Sequence, residues 1–360
     1  MLRRMARDVV QAEIAPDAAG WAREGAAPAR ALSTLAELGL FGVMAPEADG
    51  GAGMDALALV VVLEELAVGD GGLATLVASH AVACEHLRRA GATAPFSGLA
   101  TGAVRAAWAG GGTDARVAYA RAVRAGAGWS LDGQLRWLPG GATADLIVAV
   151  VATGAEAGTA FALRGGEGHT VEAAEPLGLW TSAPAHLTLR PEVPVPDDAR
   201  VGGVGAGYED ELAALPLARL ARAAIAVGIG RAALEAGVSY AAERTQFGKP
   251  LTSFQAVQWM IADSATELDA ARLLVWRGAH LLAAGEAAPG EAAMARLYAV
   301  RAARGATDRA LQMHGGYGYT TDYPVERLWR DAKQCEVGEG SSPALHQRLV
   351  AEDLIAAARA

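Results

Sequence analysis

The chain has 360 residues, a formal net charge of −9 and an apolar share of 52%, much of it alanine. That length can enclose a sizeable core in two or three units, and alanine-rich sequence suits packed helices better than a β-rich fold. The acidic balance excludes a broad contact with a nucleic-acid backbone, which needs a basic face; a single anion pocket for a cofactor remains open.

Cys84 and Cys335 stand far apart, with no CxxC or Cys/His ligand spacing. Neither a zinc site nor a disulfide framework is expected, and both read as free thiols in a reducing cytoplasm. The N-terminus, MLRRMARDVVQAEIAP, threads Arg and Asp through its apolar positions and lacks the continuous apolar core of a signal peptide. The apolar run from Met54 to Leu63 stops at Glu64 and Glu65, short of the ~20 residues of a membrane helix. The expectation is a cytoplasmic protein with no membrane span.

In chain order, residues 1–95 read as a helical domain. Leu32, Leu35, Leu38 and Leu40 fall near helical spacing, Pro46 to Gly53 is a loop, a second helix runs through Leu66, and a third spans Leu73 to Arg89. Residues 96–205 read as a middle β-domain. Its short segments are Arg116–Val123, Gly128–Leu135, Leu146–Val151, Ala160–Leu163 and Ala185–Leu189, broken by Gly, Pro and Asp. Residues 206–360 return to long helices; Phe254, Val257, Ile261, Leu268, Ala271 and Val275 keep a helical period between the breakers Pro250 and Pro289. The three blocks make an α+β, mainly α chain, not an alternating βαβ one. No GxGxxG follows a strand and opens a helix, so a Rossmann site is not indicated.

The C-terminal block carries five strings in one order: Arg244-Thr-Gln-Phe-Gly-Lys-Pro250; Phe254-Gln-Ala-Val-Gln258; Gln312-Met-His-Gly-Gly-Tyr-Gly-Tyr319; Asp322-Tyr-Pro-Val-Glu-Arg327 with Arg330-Asp-Ala-Lys333; and Glu339-Gly-Ser-Ser342. Together with Ala45-Pro-Glu47 and Gly50-Gly-Ala-Gly53, they resemble the acyl-CoA dehydrogenases over nearly the whole chain. The resemblance implies an N-terminal helical domain, a middle β-domain and a C-terminal four-helix bundle. It also implies FAD, an acyl thioester substrate, a homotetramer or dimer, and an electron-transferring flavoprotein or another electron acceptor.

Site residues follow by matching position. Glu339 matches the base that removes the substrate α-proton; read alone it is a surface-loop acid. Gly338 and Gly340 flank it and let backbone approach the substrate. The other common place for a base is Ala218 here, which leaves Glu339 as the candidate. Arg219 matches an arginine near the base that would keep a carboxylate ionised, though it also reads as a solvated helix residue. Arg244, Gln246 and Phe247 resemble a stretch that reaches across a subunit interface to the ADP half of FAD, and Gln312 and Gly316 match positions near that half. Paired guanidinium donors suit a diphosphate. Trp137 matches a tryptophan beside the flavin or is an ordinary β-domain core residue. Ser341 keeps the hydroxyl of a flavin-side threonine, and Thr113 stands where a serine meets the carrier arm of the thioester.

Some positions depart from the family. Two threonines that hydrogen-bond the flavin edge are Ala107 and Pro139, an aspartate that contacts CoA is Pro216, and a tyrosine before the base is Gly338. These changes point to an unusual acyl group, or to a carrier protein in place of CoA. Two other readings stay open: a half-competent partner subunit of a hetero-oligomer, and a flavin monooxygenase on the same fold.

Overall fold

The structure is a computed structural model that describes residues 2–92, 96–110, 120–166, 168–338 and 342–359. Among the described residues six α-helices form the first block: α1 (Leu2–Val9), α2 (Ala18–Glu24), α3 (Ala29–Glu37), α4 (Ala56–Gly69), α5 (Gly71–Arg89) and α6 (Phe96–Ala100). A π-helical turn, Val10–Ile14, follows α1 directly. Two aspartates set the starts of the buried pair. Asp55 accepts from Ala58 N at 2.9 Å and Asp70 from Leu73 N at 2.7 Å, each satisfying an amide that a helix N-terminus leaves without a partner.

Among the described residues the middle block holds nine strands: β1 (Ala106–Ala109), β2 (Ala120–Ala125), β3 (Gly128–Leu138), β4 (Leu146–Ala152), β5 (Gly158–Arg164), β6 (His169–Ala173), β7 (Ala185–Leu189), β8 (Val195–Pro196) and β9 (Arg200–Val201). They form one sheet in the order β6-β7-β3-β2-β4-β5-β9, with β1 parallel to β4 and β8 on β3. The segments expected from sequence at 128–135, 146–151, 160–163 and 185–189 all lie in strands. The one expected at 116–123 falls partly outside the described residues and continues as β2. Strands β1 and β6, and the two-residue strands β8 and β9, escaped the sequence reading. Strand β1 is four fully buried residues, too short a run to stand out, and β6 has one buried residue out of five.

The last block holds α7 (Gly207–Glu243), a small hairpin of β10 (Thr245–Gln246) and β11 (Lys249–Pro250), then α8 (Gln255–Ala283), α9 (Pro289–His314), α10 (Val325–Gln334) and α11 (Pro343–Ala357). Pro289 ends the connection from α8 by opening α9, where its missing N–H costs nothing. Among the described residues α7 alone is long and apolar enough to cross a membrane. Its most apolar window is 89% buried, so it is the central helix of the core, packed by α9, α4, α8 and α5. Gly228 permits that packing: a Cβ there would lie 2.3 Å from the carbonyl oxygen of Glu64.

The same crossing of α4 and α7 carries a cluster of buried charge. Glu64 and Glu65 are 4% and 1% exposed. Arg3 donates to Glu65 at 2.6 Å, Arg7 at 3.2 Å and Arg231 at 2.9 Å, while Arg231 and Arg272 reach Glu64 at 2.5 and 3.0 Å. Helices α1, α4, α7 and α8 therefore meet on two carboxylates. Burial alone would raise the Glu65 pKa, but the guanidinium groups of Arg231, Arg7 and Arg3 outweigh it and hold the carboxyl at about 2.

A carboxyl with a depressed folded-state pKa stabilises the protein above its unfolded value, here 4.5, and loses that contribution as pH falls toward 2. Glu65→Gln should cost about 3 kcal/mol at neutral pH, because it removes one partner from a buried ion cluster. The gap between variant and parent should close as pH drops below 4.5. Urea unfolding at stepped pH measures both; a gap that stays constant down to pH 2.5 would contradict this account.

Candidate active site

A cavity of ≈ 880 Å³ opens where the three blocks meet. One wall is α5, which presents Thr75, Ala78, Ser79 and Val82, the one-face spacing of a helix. The facing wall is α7, which contributes Tyr208, Glu211, Ala218, Ala221, Arg222 and Ile225. The β-domain adds Trp108 to Gly110 from β1, Gln134 to Pro139 from β3, and the loop around Glu175 to Pro184. The end of α10 closes the cavity with Gln334, Val337 and Gly338.

The three walls are tied by a buried ionic junction. Asp70, which caps α5, accepts from Thr181 Oγ1 at 3.0 Å and from Arg327 Nη1 at 3.5 Å. Asp331 on α10 accepts from the Leu179 amide at 2.6 Å and pairs with the same Arg327 at 3.5 Å. Burial raises the pKa of both acids against the pull of Arg327, that of Asp331 to about 6. Gly178 lies so close to α10 that a Cβ would stand 2.5 Å from the Arg330 carbonyl oxygen. The Arg330 guanidinium covers the Trp180 ring at 4.3 Å.

Trp137 sits on the cavity wall and is 49% exposed, so it is not an ordinary core residue of the β-domain. Its φ is +62°, and the β3–β7 register shifts between Leu135 and Leu138. A bulge re-aims a side chain and costs backbone strain in a non-glycine residue. His186 braces it, its Nδ1 accepting from the Trp137 amide at 3.3 Å with the rings edge to face.

Beside positions 107 and 139, where the resemblance would put threonines, stands a hydroxyl that sequence reading missed. Ser79 Oγ donates to the Pro139 carbonyl at 2.9 Å and accepts from the Trp108 amide at 3.1 Å. One α5 hydroxyl thus pins both departed segments to the helical wall. Its only sequence signal was its place on the apolar face of α5.

Glu339, Gly340, Ser341 and Thr113 lie outside the described residues. The chain leading to Glu339 is described as far as Gly338, whose φ of +120° suits glycine alone. Arg296, 1% exposed on α9, donates to the carbonyls of Cys335 at 3.5 Å and Gly338 at 3.4 Å, and so holds this approach. Arg219 is buried on α7 and is not among the residues lining the cavity. Three residues on, Arg222 is: Nη1 donates to Thr75 Oγ1 at 3.1 Å, and Nη2 lies 3.6 Å from where a Gly338 Cβ would be. Sequence reading passed over Arg222 because the family match led to Arg219.

The remaining matched residues gather elsewhere. Arg244, Gln246 and Phe247 are exposed on the β10–β11 hairpin; Gln312 and Gly316 are exposed at the end of α9. Tyr240 stacks on His314 at 4.2 Å and brings the two groups to one end of the bundle. The hairpin turn is Phe247-Gly248, both at positive φ, the two-residue arrangement that matches strand twist. It leaves the Phe247 ring 92% exposed. From Ile225 at the cavity to Arg244, α7 advances about 28 Å at 1.5 Å per residue.

Comparison with known proteins agrees with this arrangement. The acyl-CoA dehydrogenase N-terminal domain matches residues 1–95 and the C-terminal domain matches residues 205–355. The probable acyl-CoA dehydrogenase YngJ of Bacillus subtilis (strain 168) is 34% identical over 366 residues, covering 97% of this chain and 96% of its own length. Butyryl-CoA dehydrogenase from Megasphaera elsdenii superposes with a TM-score of 0.92 at 29% identity, covering 98% and 97% of the two chains. Glutaryl-coenzyme A dehydrogenase in its glutaryl-CoA complex gives 0.92 at 31%, covering 99% and 94%. With three blocks folded as in these proteins and likeness along nearly its whole length, the chain belongs to the acyl-CoA dehydrogenase family of flavin-dependent oxidoreductases.

Proposed function

We propose that this protein desaturates an acyl thioester between its α and β carbons, with FAD bound in the three-block cavity and Glu339 as the base. The observation that carries the reading is the convergence of helical walls, Trp137 and Gly338 on one cavity. The residues present fit a flavin. The space is ample, and an indole held on a bulge offers an aromatic wall. The chemistry FAD supplies when bound is acceptance of the β-hydrogen with its electron pair, which leaves a Cα–Cβ double bond once the α-proton has gone to the base.

The chain's own part is positioning, desolvation and proton removal. An α-C–H beside a thioester is a weak acid, and a carboxylate takes its proton only in a dry site that also stabilises the developing enolate. Alanine and aliphatic side chains of α5 and α7 give the cavity an apolar lining against which a bound acyl chain would displace water. Arg296 fixes the backbone that leads into Glu339. An electron-transferring flavoprotein or a similar acceptor would then reoxidise the cofactor.

The exposed residues at the far end of α7 are too distant to serve the same cavity, about 28 Å away along the helix. Arg244, Gln246, Phe247, Gln312 and Gly316 are therefore assigned to the ADP half of a neighbouring subunit's FAD. Trp259 and Leu273 leave large apolar side chains exposed on α8, a further surface for a homotetramer or dimer.

Two tests address this reading. Glu339→Gln keeps the shape of the side chain and removes its capacity as a base. Anaerobic stopped-flow should show flavin reduction by the best acyl thioester slowed ~10²–10⁴-fold, with thioester affinity little changed; reduction near the parental rate would show that Glu339 is not the base. Arg244→Ala should lower the FAD content of the purified protein while circular dichroism stays at the parental value. Unaltered FAD content would place the ADP half elsewhere.

A further inference from the structure

The end of β3 carries one residue more than the strand beside it. Leu135 pairs with Leu187 and Leu138 with Ala185, so Arg136 and Trp137 both stand opposite His186. A bulge of this kind leaves its extra residue without a place in the ladder. Trp137 gives its amide to a side chain instead: His186 Nδ1 accepts it at 3.3 Å. The Trp137 φ of +62° lies in the region that favours glycine, and such backbone persists only where its surroundings hold it.

The imidazole meets the same residue a second time. Its ring stands edge to face with the indole, the centroids 4.7 Å apart and the planes at 81°, an arrangement that aromatic pairs prefer. A ring nitrogen that accepts an amide proton carries none of its own, so neutral His186 holds its proton on Nε2. One side chain therefore fixes both the backbone and the ring of Trp137. The indole is open to the cavity at 49% exposure, while His186 is half-buried on β7 and is not among the residues lining that space.

We propose that His186 is a positioning residue for the cofactor: it holds the Trp137 indole in the orientation that the flavin meets, and it acts on FAD only through Trp137. The proposal rests on the reading that FAD lies in this cavity against that indole.

The test uses the FAD-loaded protein, with FAD itself as the probe. Equilibrium dialysis against stepped FAD concentrations gives the dissociation constant, and circular dichroism checks the fold. His186→Phe keeps a ring and removes the acceptor. His186→Asn keeps an acceptor near the place of Nδ1 and removes the ring. His186→Ala removes both. A hydrogen bond and a ring pair are each worth a few-fold, so the Ala variant should bind FAD about tenfold more weakly and the other two about threefold. Trp137→Ala should weaken FAD about tenfold or more, and adding His186→Ala to it should change the affinity by less than about twofold.

Parental FAD affinity in all three His186 variants overturns the proposal. A further loss in the double variant as large as that from His186→Ala alone overturns it as well, because His186 would then act without Trp137. If the Ala variant does not fold, the Phe and Asn variants decide, and parental affinity in both is the overturning result. If Trp137→Ala weakens FAD and the His186 variants do not, the placement of FAD stands and the role of His186 falls. If Trp137→Ala leaves FAD affinity at the parental value, the placement of FAD against the indole falls and the role of His186 falls with it.

Discussion

Everything proposed for the cavity depends on one buried ionic junction. Asp70 belongs to the N-terminal helices, Thr181 and Leu179 to a loop of the β-domain, and Arg327 and Asp331 to the C-terminal bundle. Three blocks far apart in sequence are joined where two carboxylates share one guanidinium. Removing charges from water is costly, and the arrangement persists because each carboxylate also takes a backbone amide. The walls of the cavity are therefore set by charge geometry as much as by apolar packing. A slip of the β-domain against the bundle would break several buried contacts at once.

The central helix α7 acts as a ruler between two tasks. Its first half lines the cavity and its second half ends in the exposed hairpin of Arg244 to Phe247. A phenylalanine held in a left-handed turn with nine-tenths of its surface open gains little within a single chain beyond an edge-to-face contact with Phe254. Against a neighbouring subunit the same ring would be covered. The separation along α7 is the physical support for the proposal that the cofactor is shared between subunits.

Much of this was legible in the sequence. The three-block order, the helical period through Phe254 to Val275, and four of the five expected strand segments follow from patterning, because burial on one face writes its period into the chain. The strand Ala106–Ala109 was not legible, since four residues buried on both faces are too short a run to stand out, whereas the longer buried run Leu146–Ala152 was read. Trp137 was assigned to the cofactor by resemblance, but the bulge that turns it toward the cavity arises from pairing with β7, which no local pattern records. Ser79 and Arg222 were invisible for another reason. Each sits at an ordinary helix position, and its importance comes from what the tertiary fold brings opposite: Pro139 and Trp108 for one, Thr75 and Gly338 for the other.

The claim that the junction holds the cavity walls together is tested most directly by amide hydrogen exchange on Arg327→Met. Without the guanidinium, Asp70 and Asp331 face each other unpaired in a buried site, a loss of about 3 kcal/mol or more. The account predicts that the amides of Leu73 and Leu179 exchange about a hundredfold faster, while amides in the middle of α7 and α9 keep parental protection. Unchanged exchange at Leu179 in a folded variant would contradict it, and would mean that apolar packing alone holds the three blocks around the cavity.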